Sequence, residues 1–234
     1  MREELAAFGE WLANGHPPWA AIRAFMASRL AALDKEPGVR PVGIGEVFRR
    51  LWAKCLLKVA GHRATVACGN GNLCAGLPAG IEGALHAMEE APAALAQSRG
   101  PIQGGTGDGP PPAPDDADLL TQPPAMEVEP TDPEDEGMPF IRLLLDAKNG
   151  FNELGRKAMF WTVGHRWAAG ARFAFNCYRH QALLILRRRG DSCYTLLSEE
   201  GVTQGDPLSM VLYGMAICPL AERLQAAVPE VIQT

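Results

Sequence analysis

The chain has 234 residues, 47% of them hydrophobic, and a formal net charge of -5 at pH 7. That length and content allow one large domain or two small ones with a sizeable core. No apolar run approaches the roughly 18 residues a membrane-crossing helix needs. The start, Met1-Arg2-Glu3-Glu4, is too charged for a secretory signal, so the expectation is an intracellular protein of the nucleus or cytoplasm.

In chain order, residues 1–33 read as two helices separated by Gly15-His16-Pro17-Pro18. The second carries Ile22, Phe25, Met26, Leu30 and Leu33 at helical spacing. Pro37-Gly38 breaks that pattern before Val39-Arg40-Pro41-Val42-Gly43-Ile44-Gly45, which is alternating and extended. A helix is predicted from about Glu46 to Gly61. Its inward residues are Val47, Leu51, Cys55 and Leu56, with Arg49, Arg50, Lys54 and Lys58 outward. A glycine-rich loop over 69–80 precedes another predicted helix, Ile81 to Ala94.

Residues 98–137 differ in kind. They hold ten of the 27 acids, nine of the 19 prolines and six glycines, with Arg99 as the one basic residue and no aromatic residue. Such a segment buries too little apolar surface to offset its ordering entropy and is predicted to be disordered. As an insertion it costs little, because closure entropy grows only logarithmically with length. Without it the remainder has 21 basic and 17 acidic residues, a net +4.

The apolar run Phe140-Ile141-Arg142-Leu143-Leu144-Leu145-Asp146 follows, a predicted buried strand ending in a carboxylate. Asn149-Gly150-Phe151-Asn152 reads as a turn, with Asn152 capping a helix from Glu153. A second helix is predicted from Ala169 to Ala182. Leu183-Leu184-Ile185-Leu186 and Tyr194-Thr195-Leu196-Leu197 then form a hairpin around Arg188-Arg189-Gly190-Asp191. The glycine-bracketed loop Gly201-Val202-Thr203-Gln204-Gly205-Asp206-Pro207-Leu208-Ser209 opens a helix running to about Ala227, with Asp206 as its cap.

From Leu154 to Gly190 there is no Asp or Glu, while Arg156, Lys157, Arg166, Arg172, Arg179, Arg187, Arg188 and Arg189 all occur. A one-signed segment can attract phosphate; a set of solvated helix faces accounts for it equally well. The cysteines (Cys55, Cys68, Cys74, Cys177, Cys193 and Cys218) form no Cys-x-x-Cys pair, so free thiols in a reducing compartment are expected.

Nucleotidyl transfer brings a 3′-hydroxyl in line with a phosphorus, aided by two divalent cations. Magnesium takes hard oxygen ligands such as a carboxylate at a strand tip, and Asp146 offers one. Asp146, the Gly201–Ser209 loop, and Arg40-Pro41-Val42-Gly43-Ile44-Gly45 with Leu51-Trp52-Ala53-Lys54 together resemble the motifs of reverse transcriptases. The type they look closest to is that of non-LTR retrotransposons. The resemblance spans about residues 16–96 and 138–234.

It implies an α+β (α/β) fold: the fingers and palm of a right-hand polymerase, helix-rich, with an incomplete palm sheet. Its parts would be N-terminal helices and fingers over 1–97, the insertion over 98–137 and a partial palm over 138–234. It further implies that Asp146 is catalytic and, with the backbone carbonyl of Ala147, holds Mg2+. Phe151 would close over the sugar and exclude a 2′-hydroxyl. Gln204 and Gly205 would line the nucleotide pocket, and Arg40 would meet the triphosphate. Arg49, Arg50, Arg187, Arg188 and Arg189 are candidates for nucleic-acid phosphates, although a solvated helix face explains Arg49 and Arg50 equally well. The implied partners are an RNA template, a DNA primer and deoxynucleoside triphosphates.

One departure from the family pattern is large. No Asp-Asp pair follows Asp146, so the Tyr-x-Asp-Asp hairpin that would supply the second metal carboxylate is missing. The expectation is therefore a fragment of a larger polymerase, inactive as given, with strand edges and apolar surface left exposed. The competing expectation is a non-catalytic retroelement remnant or exapted module that binds nucleic acid through the region from Arg156 to Arg189. A fragment without function is the third.

Overall fold

A computed structural model describes residues 2–36, 38–69, 82–90, 147–187 and 192–227. The chain divides into two units, Met1–Met88 with Leu145–Thr234, and Glu89–Leu144. The second lies almost wholly outside the described residues. So do the insertion over 98–137, the strand ending at Asp146, and Arg188 and Arg189.

The first unit begins with helices α1 (Arg2–Asn14) and α2 (Trp19–Met26), then strands β1 (Ser28–Asp34) and β2 (Val39–Gly45) and the long helix α3 (Val47–Cys68). A helical run over 82–90 (α4) follows. After residue 147 come α5 (Gly150–Glu153), α6 (Arg156–Arg166), α7 (Ala168–Tyr178), β3 (Ala182–Arg187), β4 (Cys193–Ser198) and α8 (Ser209–Ala227). Mixed helices and strands are the α+β character expected. The sheet order is β2-β1-β3-β4. β1 is antiparallel to β2 along its whole length, from Ser28 opposite Gly45 to Asp34 opposite Val39. It runs parallel to β3, and β3 pairs antiparallel with β4.

Several expectations need correction. The second N-terminal helix stops at Met26, because Ala27 is extended at φ -64° and ψ 149°. Leu30 and Leu33 belong instead to β1. Their helical spacing yields to ladder hydrogen bonds with β2, a distant-pairing effect that outweighs local propensity. Helix α3 runs seven residues beyond Gly61 to Cys68, and Glu46 is its cap, accepting the amides of Phe48 and Arg49. Its buried face is Arg49, Trp52, Ala53, Ala60, Ala64 and Cys68. Val47 and Leu51 point outward, and Cys55 is exposed. The small alanines let neighbouring helices approach, and Trp52 stacks on Phe8 at 4.9 Å.

The turn near Phe151 is built on Asn149 rather than Asn152. Asn149 adopts φ 50°, a left-handed conformation that Asn tolerates. Its carbonyl accepts the amides of Asn152 and Glu153. Helix α7 ends at Tyr178, and Ala182 already lies in β3. The hairpin and the C-terminal helix occur where expected, α8 containing Pro219. β4 is last in the order of the described strands, and its Tyr194, Leu196 and Leu197 are each about half exposed.

The core joins both chain segments. Leu12, Ile22, Met26, Met159, Trp167, Phe173, Leu208, Leu212 and Met215 are buried, each worth about 1.5–3 kcal/mol of apolar transfer. Asn176 of α7 donates to the carbonyls of Leu12 and Gly15 at 2.8 and 3.1 Å, pinning the end of α1. Among the described residues no cysteine forms a disulfide. No described helix is long and apolar enough to cross a membrane.

Trp167 sits at the α6–α7 corner, 1% exposed, its indole N–H donating to the Ala60 carbonyl of α3 at 3.0 Å. Trp167→Ala removes the largest fully buried side chain among the described residues, and with it the indole donor to that carbonyl. The expected loss of stability by urea denaturation is about 3–5 kcal/mol. A loss below about 1 kcal/mol would show that this corner does not carry the core.

Candidate functional site

The Gly201–Ser209 loop joins β4 to α8 and is held from several directions. On one side it grips the turn that contains Phe151: the Gly201 amide donates to Leu154 O at 2.9 Å and the Val202 amide to Phe151 O at 2.7 Å. Gly201 has φ 73°, and a Cβ there would overlap the Asn152 carbonyl. On the other side it meets β2, where the Gly43 amide donates to Gln204 O at 2.9 Å. Gly205 has φ 104°, and its missing Cβ would lie 2.8 Å from Gly43 O. Both positions therefore demand glycine, for conformation and for closeness of backbones.

Beneath the loop lies a buried charge cluster. Arg49 is 2% and Asp206 7% exposed. One Arg49 nitrogen bonds Asp206 Oδ2 and also donates to the Tyr178 hydroxyl at 3.1 Å; the other donates to Met26 O at 3.2 Å. Tyr178 donates its hydroxyl hydrogen to Asp206 Oδ2 at 2.8 Å and accepts the Thr203 amide at 3.4 Å. Asp206 Oδ1 accepts the Leu208 amide at 2.9 Å. Its carbonyl accepts the Ser209 amide and hydroxyl, so Asp206 caps the first turn of α8 as expected.

Arg156 clamps the loop's other end. Its guanidinium donates to Gly201 O, His180 O, Ser198 O, Ser198 Oγ and Glu200 O at 2.7–3.3 Å. Both cations lie near the Tyr178 ring, its centroid 5.3 Å from Arg49 Cζ and 5.5 Å from Arg156 Cζ, within cation–π range.

The electrostatics follow from burial set against pairing. Burial pushes the Asp206 carboxyl up, but Arg49, the Leu208 amide and the Tyr178 hydroxyl outweigh it and leave it below the usual range. Burial pulls Arg49 down, and Asp206 and Tyr178 more than reverse this. Tyr178 is raised by burial and by Asp206. Burial also pushes the Cys177 thiol up to about 12, which makes it an unreactive core residue. Arg156 is drawn down by burial, against the pull of Tyr178 and Glu200.

The residues expected to bind nucleotide are partly brought together. Gln204 and Gly205 touch β2, the strand that carries an exposed Arg40. Phe151 backs the opposite end of the loop, half-buried, its ring 4.9 Å from that of Tyr213. Ala147 is exposed and its carbonyl accepts the Gly150 amide at 3.2 Å, leaving a lone pair for a cation. Asp146 itself lies outside the described residues. Among the described residues no three His, Cys, Asp or Glu converge as a metal site. Asp206 is unsuited to that role, since both its oxygens are already engaged.

Two assignments change. Arg49 does not lie on an outward helix face: its guanidinium is spent on Asp206, Tyr178 and Met26, which removes it from template phosphates. Arg156 is likewise interior and structural. Arg50 is half-buried, and Arg187 is exposed at the end of β3. The sequence reading missed Tyr178, the Arg156 clamp and Tyr213. Nothing local signals the first two, because their partners lie far along the chain. Tyr213 could be found from its place one turn into the helix that the loop opens.

Breaking the pair tests this account. Arg49→Met and Asp206→Asn are each expected to cost about 3–5 kcal/mol, with the double variant costing well under the sum. Additive losses in urea denaturation would mean the two groups are not coupled. The pH dependence has a definite sign. Because the folded carboxyl is depressed, its stabilisation is complete above the unfolded value of about 3.9 and is lost as pH falls through the lower folded value. Asp206→Asn is expected to flatten that acid limb.

No protein-family model matches the chain and no curated protein matches it, so the meaning of the site rests on its own residues.

Proposed function

We propose that this chain is a fingers-and-palm segment of a reverse transcriptase, whose complete parent extends a DNA primer on an RNA template with deoxynucleoside triphosphates. The observation that supports the reading is the bracketing of one loop. Gln204 and Gly205 abut the strand bearing Arg40, while Gly201 and Val202 grip the turn bearing Phe151. The segments that resemble separate polymerase motifs thus meet although they lie far apart in sequence.

On this reading each residue has a chemical task. Arg40 binds triphosphate oxygens through its planar guanidinium. Phe151 blocks the space a ribose 2′-hydroxyl would take. The Gln204 amide offers a donor and an acceptor to sugar or base, and Gly205 lets the backbone approach closely. Asp146 and the Ala147 carbonyl would hold Mg2+, which when bound stabilises charge on the reacting phosphate. Chemistry at full rate needs a second carboxylate, which the complete parent would supply.

Primer extension by a protein that continues this chain through a Tyr-x-Asp-Asp hairpin tests the proposal. Asp146→Ala is expected to abolish Mg2+-dependent extension. Phe151→Ala is expected to admit ribonucleotides, losing about tenfold or more in discrimination. Equal extension by wild type and Asp146→Ala would end the catalytic assignment, and unchanged sugar selectivity would end that of Phe151.

A further inference from the structure

A different surface, on the outward faces of α6 and α7, combines rings with cations. Lys157, Trp161 and His165 follow one another at four-residue intervals along the exposed side of α6, which aligns them on one face. Trp161 is 63% exposed, unusual for so large an apolar ring. The His165 ring lies against it, centroids 4.2 Å apart and planes 32° apart, and His165 Nδ1 is 2.7 Å from Trp161 O. The imidazole covers one part of the indole and leaves the rest open to solvent.

The neighbouring helix continues this pattern. Phe175 of α7 is partly exposed and lies beneath Arg172 and Arg179, whose Cζ atoms are 5.7 and 5.6 Å from its centroid. His16 Nδ1 holds Arg172 at 3.2 Å, and the Pro17 carbonyl accepts from Arg179. Phe160 of α6 meets Phe175 edge-on at 5.4 Å, which seats the Phe175 ring against the flank of α6. Neither helix contains an acid. Glu222 of α8, which does touch α6, is ion-paired with Arg166 at 2.5 Å.

We infer that this α6–α7 face binds single-stranded nucleic acid, with a base stacking on Trp161 and phosphates drawn to Lys157, Arg172 and Arg179. A protein partner seeking apolar burial would meet rings broken up by cations, whereas a polyanion with exposed base faces complements both. A duplex does not, because its base faces are already stacked. The inference goes beyond the polymerase reading and needs neither Asp146 nor the Gly201–Ser209 loop.

Fluorescence anisotropy of the full chain with labelled oligouridylate and oligothymidylate of about 12 nucleotides, a length near that covered by known single-strand binders, provides the test. A blunt duplex and inorganic polyphosphate serve as competitors. Expected results are binding of either single strand, weak competition by duplex, and a loss of about tenfold for Trp161→Ala, largely restored in Trp161→Phe. Lys157→Glu is expected to weaken binding and lower the salt slope by about one. Thermal unfolding of Trp161→Ala should match wild type, since the ring is on the surface. Preference for the uridylate or the thymidylate would identify which strand is bound. No binding by wild type, equal binding by Trp161→Ala, or full competition by polyphosphate would overturn the inference; the last would reduce the surface to charge alone.

Discussion

A buried guanidinium–carboxylate pair governs the arrangement of this unit. Removing Arg49 and Asp206 from water costs several kcal/mol per ion, and their attraction offsets this only where other hydrogen bonds complete both groups. Here those bonds come from Met26 of α2, Tyr178 of α7 and the Leu208 amide at the start of α8, with the Arg49 Nε alone left without a partner. Each partner comes from a different element, so the pair is satisfied only when all of them have arrived. Such an interaction specifies one arrangement more than it adds stability.

The parts legible in the sequence were those fixed by nearby residues. β2 could be read from the alternation and glycines of Val39–Gly45, the β3–β4 hairpin from two apolar runs around a polar turn, and the start of α8 from Asp206-Pro207. β1 could not, because Leu30 and Leu33 have helical spacing and its partners are β2 and the remote β3. The buried face of α3 was misread for a plainer reason. Pattern rules turn cations outward, and nothing near Arg49 announces a carboxylate 157 positions later. Of the candidate site, the loop and its glycines were visible, whereas the groups that hold the loop from below were not.

Helix α6 carries two unlike surfaces on adjacent residues. Arg156 faces inward onto the loop, and Lys157 faces outward beside the Trp161 and His165 rings. The helix is fixed in place by contacts with both α7 and α8, through Phe160 and Arg166 among others. Rigid seating matters for an exposed stacking ring, because side chains already held in place lose less freedom when a partner binds.

The Arg156 clamp has a consequence for how this region can vary. Most of its bonds go to main-chain oxygens, of His180, Ser198, Glu200 and Gly201, which every amino acid supplies. Evolution can thus rewrite the side chain at position 199 without disturbing the path of the polypeptide, while position 156 has no such licence. Lysine could not stand in for it, having a single nitrogen where the guanidinium offers a planar fork of donors. Related sequences with this architecture should look unalike along the stretch leading into the loop and yet share one arginine upstream of it.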